Sequence, residues 1–277
     1  MAITNFIPTI WSENLITALD RQYIGVANCN RDYEGEIKGK GSVVKICGVG
    51  AISIDDYTKN TDLSSPQTLD DTVKTLTIDR AKCFNFQIDD IDRAQSSPKL
   101  MDAAMSNAAR ALAKEADKYV YSLVDFAGSA IYTEGVNETN ILDNILKARE
   151  KLYEKDVSDA GDISIEVSPA IASLILKAKI ASATDNTDAL SGGCIGTIGG
   201  CKVYVTNNIQ LIDEESIVYH QCLVRTKHAI AFAEQISEID AYRPEKRFAD
   251  AVKGLHLYGA SVVYPDEVVS LNLGIFK

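Results

Sequence analysis

The chain has 277 residues, 46% of them hydrophobic and 24% charged, a composition with room for one large core or two joined subdomains. Its formal net charge of -11 repels phosphates, and no Lys/Arg block offsets that field, which argues against direct reading of DNA. No basic residue precedes Arg21, and no apolar run approaches the roughly 20 residues of a membrane span, so neither a signal peptide nor a membrane segment is expected.

In chain order, Ile7–Ile24 reads as a short amphipathic helix after an extended lead. Thr9 can cap it, and Trp11, Leu15 and Ala18 or Leu19 fall at helical spacing. Asn28–Asp71 is rich in Gly, Asp, Asn, Thr and Ser, with strand-like pieces at Val43–Ile46 and Ala51–Ile54. So long a stretch without its own apolar core is unusual inside a compact domain, and a protruding hairpin is expected. From Thr72 to Asp89 the apolar residues Leu76, Ile78, Phe84, Phe86 and Ile88 all take even positions, the period of a half-buried strand. With Asp55–Asp71 as its tip, each arm of the hairpin would have about 15 residues and span roughly 50 Å at about 3.3 Å per residue.

The strongest helix follows. Ser97 is a good N-cap and Pro98 suits the first helical position. Met101, Met105, Ala108, Leu112, Ala116, Tyr119 and Leu123 then form one apolar stripe, with Asn107, Arg110, Lys114, Asp117 and Lys118 mostly on the solvent side. About 28 residues of helix would be roughly 42 Å long. The methionines read as core packing.

Beyond it, Thr139–Tyr153 is an amphipathic helix with Ile141, Ile145, Ala148 and Leu152 on one face. Ile163–Val167 reads as a strand, and Ser168-Pro169 opens a helix reaching about Ala181. Lys202–Thr206, Ser216–Val224 and His228–Ala233 read as short strands. Val252–Tyr264, apolar on both faces, is the last clear element and reads as a central strand. Helices and strands intermix without a βαβ repeat, so the class is α+β.

A search for chemistry returns little. His220, His228 and His256 are the only histidines; His220 and Cys222 could supply two metal ligands, but no second pair lies at zinc spacing. His256, between Leu255 and Leu257, reads as a core or interface histidine. The stretch Gly35–Ser42 (GEIKGKGS) lacks the G-x-x-x-x-G-K-[ST] spacing of a phosphate loop, and Gly192–Gly200 (GGCIGTIGG) follows no predicted strand and reads as a surface loop. Asp89, Asp90 and Asp92 cluster before a helix, where a solvated turn is expected. Cys29, Cys47, Cys83, Cys194, Cys201 and Cys222 are scattered and read as free thiols, most of them buried. No catalytic, metal or cofactor site is expected, and no enzymatic role.

Five segments carry a resemblance: FIPTIWSENLITALD at Phe6–Asp20, RDYEGEIKGKGSVVKI at Arg31–Ile46, DYTKNTDLSSPQTL at Asp56–Leu69, KCFNFQIDDIDRAQSSPKLMDAAM at Lys82–Met105 and KRFADAVKGLHLYGASVVYPD at Lys246–Asp266. In order and spacing they resemble tailed-phage major capsid proteins of the Hong Kong 97-like fold. The resemblance implies an N-terminal arm at 1–27 and an extended-loop hairpin at 28–72 lying over a neighbouring subunit. It further implies a peripheral domain at 73–138 and 234–277 with a long spine helix at 97–124, and an axial domain at 139–233. The implied role is a virion shell: pentamers and hexamers of this chain assembling, in the bacterial host cytoplasm, into an icosahedral prohead that encloses double-stranded phage DNA without sequence-specific binding.

A separate scaffolding protein and a portal are the further partners implied, since the matching region leaves no room for a fused scaffold. No cofactor, no membrane contact and no covalent crosslinking are implied. Trp11 in the arm, and Lys38, Lys40, Asp55, Asp56 and Lys59 in the hairpin, are the candidate assembly contacts, with opposite charges meeting between neighbours. The rival within the same fold is an encapsulin-type nanocompartment shell around enzyme cargo; the long polar hairpin favours the phage reading. An ordinary α+β enzyme or binding protein is disfavoured by the missing site and the overlong arm.

Overall fold

The computed structural model describes residues 15, 17–34, 41–49, 54, 56, 59, 71–89, 100–157, 162–178, 194–246 and 248–277. The hairpin is present at its base. Strand β1 (Val43–Val49) pairs antiparallel with β2 (Asp71–Thr77) in unbroken register, Val43 opposite Thr77 and Val49 opposite Asp71. Alternation buries Val44, Ile46 and Leu76 and turns Val43 and Val73 outward. Residues 60–70, most of the expected tip, and residues 51–53 lie outside the described residues.

The single strand expected from Thr72 to Asp89 is two strands. Gly41 donates its N–H to the Ile78 carbonyl and Ile78 donates to the Ser42 carbonyl, closing the hairpin at its root. The chain then turns at Asp79, and β3 (Arg80–Asp89) pairs with another partner, β11 (Ala249–Val262). The period of two runs on through the break, which is why the break is silent in the sequence. The hairpin end rests directly on β11 at Gly259, where a Cβ would fall 2.2 Å from the Thr77 carbonyl oxygen.

The expectation that 28–71 has no core of its own needs correcting. Val44, Ile46, Leu76 and Ile78 form a small apolar cluster with Ala231, Ala233, Leu257 and Val263, and Tyr33 packs against it. The hairpin base is thus fastened to a three-stranded antiparallel sheet ordered β10 (Ile230–Tyr242), β11, β3.

Helix α1 (Leu100–Tyr121) lies against this sheet. Its 22 residues span about 33 Å, and the chain then tightens into a 3-10 turn, Ser122–Phe126. Ser97 and Pro98, the expected cap, lie outside the described residues. Met105, Ala109, Leu112, Ala113, Ala116 and Val120 fill the buried face, while Asn107, Arg110, Lys114 and Lys118 are exposed. Asp117, expected on the solvent side, is instead 1% exposed. Its carboxylate is used inside the protein, as described below.

The larger sheet has strand order β4 (Ser129–Thr133), β12 (Val268–Phe276), β9 (Ile217–Thr226), β5 (Ile163–Val167), β7 (Cys201–Val205), β6 (Cys194–Ile198), with β8 (Leu211–Asp213) also pairing β9. Helix α2 (Ile141–Tyr153) packs on β12 and β4 through the expected face of Ile141, Ile145, Ala148 and Leu152. Helix α3 (Pro169–Lys177) begins as expected: Ser168 accepts from the Ile171 N–H at 3.4 Å, with Pro169 next.

Three strands of the two sheets differ from the sequence reading. Cys194–Ile198 is a strand with buried Cys194 and Ile198, not part of a surface loop; Gly199 (φ 58) and Gly200 (φ 89) make the tight turn that pairs it with β7. Strand β10 runs nine residues past Ala233 to Tyr242. Strand β12, between β4 and β9, is a further strand beyond those expected. Glycine in β6, charge in β10 and burial on both faces in β12 weaken the strand signal in each. One continuous apolar core joins both sheets and α1, and it includes Leu15, Leu19, Tyr23, Val26 and Cys29 from the N-terminal segment.

Candidate functional site

Buried charged groups from four elements, Asp117, Glu166, Arg225 and Glu234, converge on one short stretch, residues 20–34, between the N-terminal segment and the hairpin. Residues 17–20 are helical, and Val26–Asn28 forms a 3-10 turn whose N-cap position, Gly25, offers no side chain to cap it. The cap comes from far away in sequence. Asp117 on α1 accepts from the Val26 N–H at 3.0 Å and the Ile24 N–H at 3.2 Å, and from the Asn208 amide at 3.3 Å. Burial pushes the Asp117 carboxyl up to about 6, partly offset by the two backbone donors.

The carbonyl side of the same turn is held by Arg225 on β9. It donates 2.7 Å to the Gly25 carbonyl and 2.8 Å to the Asn28 carbonyl. Its remaining donors form a two-point pair with Glu166 on β5, 2.9 Å and 3.1 Å, and the Asn28 amide donates 2.9 Å to the same carboxylate. Arg225 and Glu166 are both fully buried. Such a pair holds its partners in one arrangement; removing one member leaves a charge without compensation.

A second cluster sits further along. Glu234 on β10 accepts from the Tyr23 hydroxyl and from Arg31 at 2.7 Å, and His256 Nε2 lies 2.8 Å from its other oxygen. His256 is buried as expected of a core histidine and this contact satisfies its Nε2, while its buried Nδ1 has no hydrogen-bond partner among the described residues. Arg31 also pairs with Asp20 at 2.9 Å and Glu34 at 2.5 Å. Burial alone would raise the Glu234 carboxyl, but hydrogen bonds from His256 and Tyr23 and the charge of Arg31 hold it below the usual range. Glu34 is pushed up, burial outweighing its bond to Arg31.

Of the candidate contact residues, Asp56 and Lys59 are exposed in isolated described positions, and Trp11, Lys38, Lys40 and Asp55 lie outside the described residues. Asp56 and Lys59 are thus the two of the six that the structure describes. The residues it does bring together, Asp117, Glu166, Arg225 and Glu234, were not singled out. A signal existed for two: Glu166 and Arg225 are opposite charges inside otherwise apolar strands. Among the described residues, no group of three or more His, Cys, Asp or Glu side chains is placed to hold a metal ion. His220 and Cys222 are buried in β9 as packing residues, and Cys29, Cys194 and Cys201 are buried free thiols.

No protein-family model matches the chain, and no curated protein does. Solved structures do. One from Mycobacterium phage Che8 is 29% identical, with 90% of this chain and 91% of that one covered and a TM-score of 0.70. The capsid of Ralstonia phage GP4 is 10% identical, covering 93% of this chain and 90% of its own, with a TM-score of 0.68. A virus-like particle from Pyrococcus furiosus is 12% identical, covering 96% and 99%, with a TM-score of 0.59.

Proposed function

We infer, from a chain that has the Hong Kong 97-like fold of tailed-phage capsid proteins and is a structural coat protein of a virion rather than an enzyme, that it closes an icosahedral shell around double-stranded phage DNA. The observation that carries this reading is the fold likeness to capsid structures over nearly the whole chain. In this reading residues 1–27 are the N-terminal arm, 28–72 the extended loop over a neighbour, 73–138 and 234–277 the peripheral domain around the spine helix, and 139–233 the axial domain. Axial domains meet in pentamers and hexamers. Assembly takes place in the host cytoplasm with a separate scaffolding protein and a portal.

The geometry supports an arm-and-loop mechanism. The arm root is built into the core at Leu19, Tyr23 and Val26, and the hairpin base is packed on β10 and β11, so both extensions leave from fixed points. The net charge of -11 gives the subunit little general affinity for the DNA it would enclose. Trp11, Lys38, Lys40, Asp55, Asp56 and Lys59 are assigned to contacts between neighbours. Likeness to the virus-like particle supports a second reading, a nanocompartment shell around protein cargo.

Electron microscopy and nuclease treatment of particles from the producing host separate the two. Closed particles that protect double-stranded DNA support the phage shell; closed particles with protein cargo and no DNA support the second reading; a compact monomer at high concentration overturns both. In the same assay, reversing charge at Lys38 and Lys40 (K38E/K40E) is expected to lower shell yield with the subunit still folded. Unchanged yield removes these lysines from the interface.

A further inference from the structure

Two polar clusters hold residues 20–34, and they differ in how far water reaches them. The turn at 24–29 is held by Asp117, Glu166 and Arg225, none more than 1% exposed, and is walled by Val26 and Cys29. Its bonds run to backbone groups, which any conformation of the side chains nearby leaves in place. Residues 30–34 are held differently. Asn30 makes two backbone bonds to β10, donating 2.9 Å to the Ile230 carbonyl and accepting 2.8 Å from the Phe232 N–H. Tyr33 packs on the hairpin cluster and the Asn30 side chain accepts from the Asp32 N–H at 3.0 Å, while the ion pairs of this stretch run through Arg31, whose side chain is 31% exposed, beside Asp20 (50%) and Glu34 (29%). Ion pairs at that depth are weak and screened by salt, whereas the fully buried pair is not.

We propose that this stretch is a two-stage anchor, in which Glu234 is an electrostatic latch that lets residues 30–34 lift from β10 while the 24–29 turn stays pinned. Three donors from two elements meet at that one carboxylate: Tyr23 and Arg31 from the N-terminal segment and His256 from β11. Glu234 is therefore the point at which the stretch is joined to the sheet by charge. Opening the latch redirects the chain just before the hairpin without detaching the arm root from the core. Its use in assembly rests on the coat-protein reading, since a subunit entering a curved shell must aim its hairpin at a neighbour.

Hydrogen exchange on the unassembled full-length subunit tests it. In Glu234→Gln, and in Arg31→Gln, the Asn30 and Phe232 amides are expected to exchange about tenfold faster, with the Val26 and Cys29 amides unchanged. Raising salt from about 0.05 M to about 0.5 M should do the same to the unaltered chain, so the answer does not depend on either variant folding. Acceleration of all four amides together, or of none, overturns the latch. A subunit that never forms shells would sink the coat-protein reading and leave this result standing.

Discussion

The two sheets of this molecule are finished to different degrees. Strands β9 and β12, at the middle of the larger sheet, are buried on both faces, with Leu223, Val224, Leu271 and Leu273 at 0% exposure. Strand β3 of the smaller sheet exposes its first four residues outright and is nowhere fully buried, even at the stacked pair Phe84 and Phe86. The hairpin beside it presents Val43 and Val73, each about half exposed. The interior strands of the larger sheet are closed within the subunit, with Tyr132, Leu211, Ile212 and Phe276 exposed at its edges and strand ends; the smaller sheet and hairpin leave apolar area at β3, Val43 and Val73 that the described residues do not cover. In a coat protein that division is useful, because the region that must recognise neighbours cannot also be sealed within one subunit.

The comparison can be broken most severely at the join between N-terminal turn and larger sheet. Arg225→Met should cost about 3–5 kcal/mol in urea unfolding, because Glu166 is left buried and unpaired. Arg225→Met with Glu166→Met should recover part of that loss, with the Gly25 and Asn28 carbonyls still short of donors. A loss below about 1 kcal/mol for the single change would mean that the pair does not hold the turn.

Next in size is a matched pair of truncations. Leu271→Ala in β12 should cost about 2–5 kcal/mol in the isolated subunit. Phe84→Ala in β3 should cost about half as much, its ring being only partly buried, yet lower the stability of assembled particles more than Leu271→Ala does when both are compared with their own subunits. Equal effects in subunit and particle would remove the distinction between a sealed and an unsealed sheet.

The last effect is a slope with pH. A carboxyl raised in the folded state to about 6, from 3.8 when free, binds more protons folded than unfolded across that interval. Its contribution is full below about pH 4 and is lost as pH rises through about 6, by up to about 3 kcal/mol at about 1.4 kcal/mol per unit. Asp117→Asn should remove this slope from a plot of unfolding free energy against pH. A slope that survives the substitution belongs to another group.

What the sequence disclosed depended on whether one face of an element met water. Helices α1 and α2 and the inward side of β1 and β2 carry a period because each has a wet and a dry side. Strand β12 (VVSLNLGIF) alternates Val269, Leu271, Leu273 and Ile275 with Ser270, Asn272 and Gly274, yet its second face is buried as well, so Ser270 and Asn272 do not mark a wet side. Strand β10 was cut short at Ala233 because Glu234 reads as a surface residue, while in the structure it is the acceptor for three donors. Asp117 fits a helix pattern on either side, and only the backbone of residues 24–26, some ninety residues away, decides which. The fold family was legible through segments of residues in order; the polar junction was not, since its partners are set by long-range contacts that no local period encodes.

Strand β12 sits between β4, which it joins in parallel, and β9, which it joins antiparallel, and in chain order it follows every other strand among the described residues. Until it emerges, β4 and β9 each show an open edge, and α2 lacks one of the two strands it packs on. Closure of the larger sheet therefore waits for β12, long after the hairpin and α1 have been made. A nascent chain in that interval has its adhesive region ready and its core unfinished, which gives chaperones a defined window in which two such chains must be kept apart.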